Sequence, residues 1–288
     1  MTIKGERLQK VLARAGYGSR REIESWITSH RITINNRPAK LGDHATLEDV
    51  IALDGKKIAI APKPGDNANK VLLYHKPEGE LCTRSDPEGR ATIFDHLPVL
   101  KTGRWITVGR LDINTSGLLL LTTDGDLAHR LMHPSTEIER EYAVRVLGDV
   151  DKTVIKALTE GVMLEDGKAH FDSVTEGGGA GANKWFNVIL KEGRKREVRR
   201  LWEAVGCTVT RLIRIRFGDL LLPRSVRIGR WEYLDEVQQR QLYTLAGLVS
   251  DVAPPPRTFR KNVREGRGKR LMSRRQPAAK STTRPTPK

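Results

Sequence analysis

The stretch Gly109–Leu131, GRLDINTSGLLLLTTDGDLAHRL, carries a carboxylate, Asp112, on a polar loop directly ahead of an apolar run. Leu118–Leu121 is too short to cross a membrane and too apolar for a surface, so it reads as a strand buried on both faces. Asp124-Gly125 supplies a turn, and Asp126–Leu131 reads as the start of a helix with an acidic residue at its positive end. A side chain on a loop held between such rigid elements keeps its place, which makes Asp112 a candidate for chemistry. The same residue also suits a cap on the turn Asn114–Gly117. Residue types alone leave both roles open.

Around this stretch the chain is rich in strands. Val71–Tyr74 and Trp105–Val108 read as strands leading towards it. Beyond it, Glu139–Val146 alternates with period two and puts Arg140, Tyr142, Val144 and Val146 on one face. Val154–Leu158 reads as helix, Ala169–Val174 as strand, Gly177–Gly181 as a flexible loop and Trp185–Leu190 as strand. EGRKREVRRLWEAVG, from Glu192 to Gly206, turns into a helix with Val198, Leu201 and Trp202 inward. Thr208–Arg216 returns as a strand with Thr208, Thr210, Leu212, Arg214 and Arg216 on one face. This order predicts an α+β domain on a mixed, largely antiparallel sheet.

The N-terminal segment differs. Leu8, Val11, Leu12 and Ala15 fall at helical spacing between Glu6 and Ala15, while Arg7, Lys10 and Arg14 share another face. In SRREIESWI, Ser19 and Glu22 have the spacing of a capping box. Arg20 and Arg21 lie in the first turn of that helix, where basic side chains oppose the macrodipole, so a phosphate ligand explains them better than helix stability does. Short strands follow at Arg31–Ile34, Val50–Leu53 and Lys57–Ile60. The expected organisation is a small domain over 1–61, a linker over 62–70 (PKPGDNANK), a larger domain over 71–253 and a basic tail over 254–288.

Of the 288 residues, 51 are Lys or Arg and 35 Asp or Glu, giving a formal net charge of +16. The ends carry it: the tail from Pro254 holds twelve Lys or Arg against one acid, Glu265. A polyanionic partner follows. So poor in apolar residues, the tail is expected to stay disordered without that partner. If about five of its cations contact single-stranded phosphates, truncation after Pro254 flattens the plot of log affinity against log salt by about 3 to 4 units. The two cysteines, Cys82 and Cys207, have no metal-ligand spacing. MTIKGERLQK has no apolar signal core and no run reaches the ~18 apolar residues of a spanning helix, so a cytoplasmic location without membrane contact is expected.

RLQKVLARAGYGSRREIESWI and the Arg31–Asn36 segment resemble the S4 domain, a small α/β RNA-binding module. The resemblance implies RNA contacts from Arg7, Lys10, Arg14, Arg20 and Arg21. GRLDINTSGLLLLTTDG, EREYAV and EGRKREVRRLWEAVG followed by TRLIRIRFG, with KPEGELCTRSDPEGR upstream, are similar in order to the motifs of one pseudouridine synthase family, named for its A-type enzyme of the ribosomal small subunit. That family also carries an N-terminal S4 domain, and the similarity spans about residues 4–250. It implies that the larger domain has the pseudouridine synthase fold.

The resemblance further implies that Asp112 is the catalytic aspartate, that Tyr142 stacks on the target uracil, and that Arg199 pairs with the aspartate. Arg196-Glu197 stands where many relatives have His-Gln, which leaves Arg200 as an alternative partner. Arg110, Arg200 and Leu212 would contribute to the substrate pocket. Taken alone, Tyr142 reads as core and the two arginines as solvated helix charges. Pseudouridine formation breaks the C1′–N1 bond, turns the base and rejoins it through C5, with no net redox change. No cofactor is expected, and no phosphate-binding loop or dinucleotide fingerprint is present. A carboxylate with an ordinary pKa near 3.9 is ionised at neutral pH, ready to add to the sugar or to assist loss of its C2′ proton. Extruding a base costs a few kcal/mol and stacking on an aromatic ring returns about 1 to 3. Arg196-Glu197 and the basic tail favour large-subunit rRNA as the partner of a monomer. A non-catalytic rRNA-binding assembly factor and the same chemistry on small-subunit rRNA are the alternatives.

Overall fold

The computed structural model describes residues 5–60, 69–180 and 183–249. Most of the expected linker and all of the expected basic tail lie outside the described residues.

The first sixty residues give β1 (Glu6–Arg7), α1 (Leu8–Arg14), α2 (Arg20–Thr28), β2 (Ile32–Ile34), β3 (Arg37–Pro38), β4 (His44–Ala45), β5 (Ile51–Leu53) and β6 (Lys56–Ile58). α1 starts two residues later than its periodicity predicts because Glu6 and Arg7 pair as a strand with Ala45 and His44. The capping box of α2 forms: Ser19 Oγ accepts from Glu22 N, and Glu22 Oε2 accepts from Ser19 N. Leu8, Leu12, Ile23, Ile27, Ile32 and Ile51 bury together, closing the helix pair over the β3-β2-β5-β6 sheet.

The second region contains β7 (Val71–Lys76), β8 (Ile106–Val108), β9 (Ser116–Thr122), α3 (Gly125–Met132), β10 (Arg140–Leu147), α4 (Lys152–Glu160), β11 (Val162–Leu164), β12 (Gly167–Ala169), β13 (Ser173–Ala180), β14 (Asn183–Leu190), α5 (Glu197–Ala204), β15 (Thr208–Phe217), β16 (Leu220–Leu221), β17 (Trp231–Tyr233) and α6 (Glu236–Leu245). Nine strands form one sheet. Its main path is β13-β14-β10-β15-β9-β7-β17, with β8 on β9 and β16 on β15. All pairings are antiparallel except β9 with β15, so the sheet is mixed and largely antiparallel, as the element order predicts.

β9 is buried at every position. Its even residues, Leu118 and Leu120, pack with Val71 and Leu73 against α3 and α6. Its odd residues, Leu119 and Leu121, pack on the other face with Leu72, Tyr74, Trp105 and Leu111. In the β10–β14 half, the helices lie on this second face: Val144, Val146, Phe186 and Val188 meet Leu158 of α4 and Leu201 and Trp202 of α5. Tyr142 bridges the two clusters of that face. The face covered by helices therefore changes side midway along the sheet. Lys10 of α1 reaches Asp126 in the first turn of α3 at 2.8 Å, linking the two regions.

Several local readings need correction. Gly177–Ala180 belong to β13 instead of a flexible loop, because backbone pairing with β14 holds them through a bulge between Glu176 and Gly178. Ala169–Val174 is interrupted, its ends belonging to β12 and β13. The helix in Glu192–Gly206 begins only at Glu197, after a left-handed Arg196 (φ 52°). Bulges in the β10–β15 ladder break the alternation of β15, so Val209 is buried while Thr208 and Thr210 are exposed.

Candidate active site

Asp112 lies in the turn between β8 and β9, where Thr115 N donates to Asp112 O at 3.0 Å; the turn runs over 112–115, two residues earlier than the expected Asn114–Gly117, because Ser116 already begins β9. Two buried cations hold that turn by its carbonyls. Lys76, fully buried at the end of β7, donates from Nζ to Pro77 O (2.8 Å), Asp112 O (3.2 Å) and Thr115 O (3.0 Å). Arg199, 6% exposed in α5, donates to Asn114 O (2.7 Å) and to Val209 O (2.9 Å). Carbonyls 112, 114 and 115 are thus anchored from two different elements. Such charge-assisted bonds are shorter and stronger than neutral ones.

The Asp112 carboxylate itself is partly exposed and, among the described residues, makes no hydrogen bond or ion pair. The expected direct pairing with Arg199 is absent, since backbone carbonyls occupy that guanidinium. The charge of Asp112 nevertheless acts on both buried cations. Burial pushes the Lys76 ammonium and the Arg199 guanidinium down from their ordinary values, and Asp112 opposes both shifts. The arrangement is a carboxylate with no hydrogen-bond partner among the described residues, on a turn that two buried cations hold by its carbonyls.

Tyr142 lies on β10 opposite Val188 on one side and Arg214 on the other. It is partly exposed at the junction of the two cores, and its hydroxyl has no partner among the described residues. Arg214 is 3% exposed; its Nε donates to Leu118 O at 2.7 Å and its Nη2 is buried without a partner. Thr115 Oγ1 and Arg199 Nε are buried and unpartnered as well. Orphaned polar atoms of this kind are costly unless a further group completes them. Cys82 Sγ accepts from Leu111 N at 3.4 Å, one residue before Asp112, and burial pushes its thiol up.

Sequence reasoning missed Lys76 and Arg214. The available signal was a lysine in phase with Leu72 and Tyr74 at the end of an apolar strand. Other expected site residues lie elsewhere. Arg200 is held by Asp166 in a two-pronged pair (2.8 and 2.9 Å), so it does not replace Arg199 at the turn. Leu212 is buried in the α5 core below Tyr142. Arg110 is exposed. Of the expected RNA contacts, Lys10 is engaged by Glu6 and Asp126 and Arg14 by Glu6, whereas Arg7, Arg20 and Arg21 are exposed. Among the described residues no His, Cys, Asp or Glu cluster could hold a metal ion, and no helix is long and apolar enough to cross a membrane.

Two substitutions test the support of the turn. Lys76→Met removes three carbonyl bonds and leaves an unbranched side chain one heavy atom shorter. Since a misplacement of about 1 Å costs ~10²-fold in rate, turnover should fall by about that factor with substrate affinity little changed; an unchanged rate would show that the turn holds itself. Glu197 sits two residues before Arg199 and is 3% exposed, with Oε2 accepting from Arg194 N at 2.9 Å and Oε1, without a hydrogen bond, 3.8 Å from Arg194 Nε. Burial pushes its carboxyl up to about 7, from an ordinary 4.5. The folded protein therefore retains a proton that the unfolded chain has released. The resulting stability is complete below about pH 4.5 and is lost as pH rises through about 7. Glu197→Gln should flatten this decline and leave the variant more stable than the parent above pH 7; parallel Tm–pH profiles would contradict it.

Comparison with known proteins places this geometry in context. A family model described as RNA pseudouridylate synthase matches residues 70–204, and an S4 domain model matches residues 6–51. The ribosomal large subunit pseudouridine synthase B of Yersinia pestis is 59% identical over 233 residues, 80% of this chain and 73% of that protein. The protein of the same name from Escherichia coli (strain K12) is 55% identical over 258 residues, 89% of this chain and 86% of that protein. A solved structure, "Crystal structure of pseudouridylate synthase", superposes with a TM-score of 0.58 at 26% identity, over 82% of this chain and 99% of that one.

Proposed function

The chain belongs to the RNA pseudouridylate synthase family, in the branch that carries an N-terminal S4 domain, and from that premise we propose that it converts a uridine of large-subunit rRNA into pseudouridine, with Asp112 as the catalytic carboxylate. The observation that carries the assignment is the free Asp112 carboxylate on a turn clamped by Lys76 and Arg199. Relatives named as large subunit pseudouridine synthases, similar over most of this chain, support the substrate.

In this reading the flipped uracil stacks on the partly exposed Tyr142, which stands opposite the buried Arg214 across the β10–β15 ladder. Asp112 either adds to the sugar or assists loss of its C2′ proton, while the glycosidic bond breaks and the base turns to present C5. Arg199 and Lys76 are positioning residues that act through the turn. The reaction exchanges the C1′–N1 bond for a C1′–C5 bond and the C5 proton for one on N1, with no net change of composition, so it needs no cofactor; the enzyme acts as a monomer with no obligatory protein partner. Arg7, Arg20 and Arg21 offer phosphate contacts from the small domain, and the basic tail adds sequence-independent attraction. Such a substrate goes with a cytoplasmic location.

The test is incubation of protein-free rRNA from the large and from the small ribosomal subunit with the enzyme, followed by chemical mapping of pseudouridine. A new pseudouridine confined to the large-subunit RNA is expected. Modification of small-subunit RNA alone would reassign the substrate, and tight binding without modification of either would make the protein a non-catalytic assembly factor.

A further inference from the structure

Because the covered face changes side along the sheet, the β13–β14–β10–β15 half has one face with helices α4 and α5 and another that no described helix covers. The register sets Gly178 of β13 opposite Trp185 of β14, Trp185 opposite Arg145 of β10, and Arg145 opposite Arg211 of β15. These four residues form one row on the open face. In the next row stand Thr175, Asn187, Ala143 and Ile213, all small, polar or aliphatic.

The row has the properties of a nucleic-acid platform. Trp185 is partly exposed and lies outside every core cluster among the described residues, and its indole N–H makes no hydrogen bond there. A tryptophan in a sheet ordinarily packs on its cross-strand neighbours. Here one neighbour is a glycine run, where a Cβ on Gly177 would fall 3.5 Å from the Trp185 Cβ, so nothing larger stands beside the ring. On the other side Arg145 is partly exposed and Arg211 exposed, and among the described residues neither is in an ion pair. Glu141, in phase with Arg145 on β10, is paired with Arg216 at 2.7 Å. With neighbouring strands about 4.8 Å apart, the row from Trp185 to Arg211 extends about 10 Å, within reach of the phosphates that flank one stacked base.

We propose that this face is a second RNA-binding site, which takes a single-stranded segment of the substrate RNA by stacking a base on Trp185 and binding its phosphates with Arg145 and Arg211. It is distinct from the site around Asp112, which lies on the α5 side of the sheet. The proposal rests on the reading of the chain as an RNA-modifying enzyme. Aromatic stacking suits such a role because every base has a π-face, so the contact adds affinity without choosing sequence.

The experiment uses the full chain, protein-free large-subunit rRNA and a short labelled single-stranded RNA of mixed sequence. Trp185→Ala should weaken binding of the short RNA about 5- to 150-fold, the range of one base–aromatic stack, and Trp185→Phe should restore most of it. Replacing Arg145 and Arg211 together by Gln should lower the salt slope by about 1.4 units, the value for two single-strand phosphate contacts. The single-turnover rate of pseudouridine formation at saturating rRNA should stay at the parent value in all three. Unchanged affinity in Trp185→Ala, or a loss in Trp185→Phe equal to that in Trp185→Ala, overturns the proposal. Absence of pseudouridine with the parent protein would instead overturn the enzymatic reading, so the two failures are separable.

Discussion

Asp112→Asn should abolish pseudouridine formation, lowering single-turnover rate by at least about 10⁴-fold, with rRNA affinity within about threefold of the parent. The size follows from the chemistry. Whether the carboxylate adds to the sugar or removes a proton, the amide can do neither, and loss of a group in direct contact with the reacting atoms costs this much or more. Folding should be spared. The carboxylate is partly exposed and bonded to no described residue, while the turn is held through the carbonyls of residues 112, 114 and 115, which Asn retains. A Tm within about 2 °C of the parent is the accompanying expectation. Pseudouridine at near-parental rates would remove Asp112 from the chemistry, and a large fall in Tm would mean that its charge is structural.

Gly117→Ala should have the largest effect on stability. Gly117 has φ of 107°, in the region that favours glycine, and a Cβ there would stand 2.3 Å from Arg214 O and 2.6 Å from Arg214 N. These are backbone atoms of the parallel partner strand, so no side-chain rotation relieves the clash. The β9–β15 pairing must open or the whole Asp112 turn must shift. A loss of roughly 4 kcal/mol or more is expected, equivalent to a Tm about 8 to 16 °C lower. Gly55→Ala is the control: it also has positive φ (77°), but nothing lies within 4 Å of its Cβ, and it should cost about 1 kcal/mol. Equal Tm values for the two variants would defeat the steric account.

The sequence made much of this arrangement legible where local pattern and final environment agree. Leu118–Leu121 is apolar on both faces and is buried on both. Tyr142 keeps phase with Val144 and Val146, and Arg199 falls beside Val198, Leu201 and Trp202, so their faces could be read from spacing. Lys76 and Arg214 also keep phase with apolar neighbours, but spacing alone does not mark them as buried. Each resembles an ordinary charge on a strand, and only the joining of β7, β9 and β15 encloses it. The glycine run 177–179 misled for the opposite reason: glycine weakens a strand locally, but pairing along β14 overrides that preference. α6 was missed although Asp235 and Gln238 form a capping box there, because its polar composition conceals the buried Leu242 and Tyr243.

The parallel contact between Gly117 and Arg214 has a consequence for the order of events during translation. About a hundred residues separate the two halves of that contact, which a ribosome adds in roughly 5 to 20 seconds. For that interval the nascent chain already exposes the basic helices of its first sixty residues, while the segment around Asp112 lacks both α5 and β15. Affinity for RNA is thus synthesised before competence to modify it, and an interrupted polypeptide can hold RNA but has no assembled centre with which to alter it.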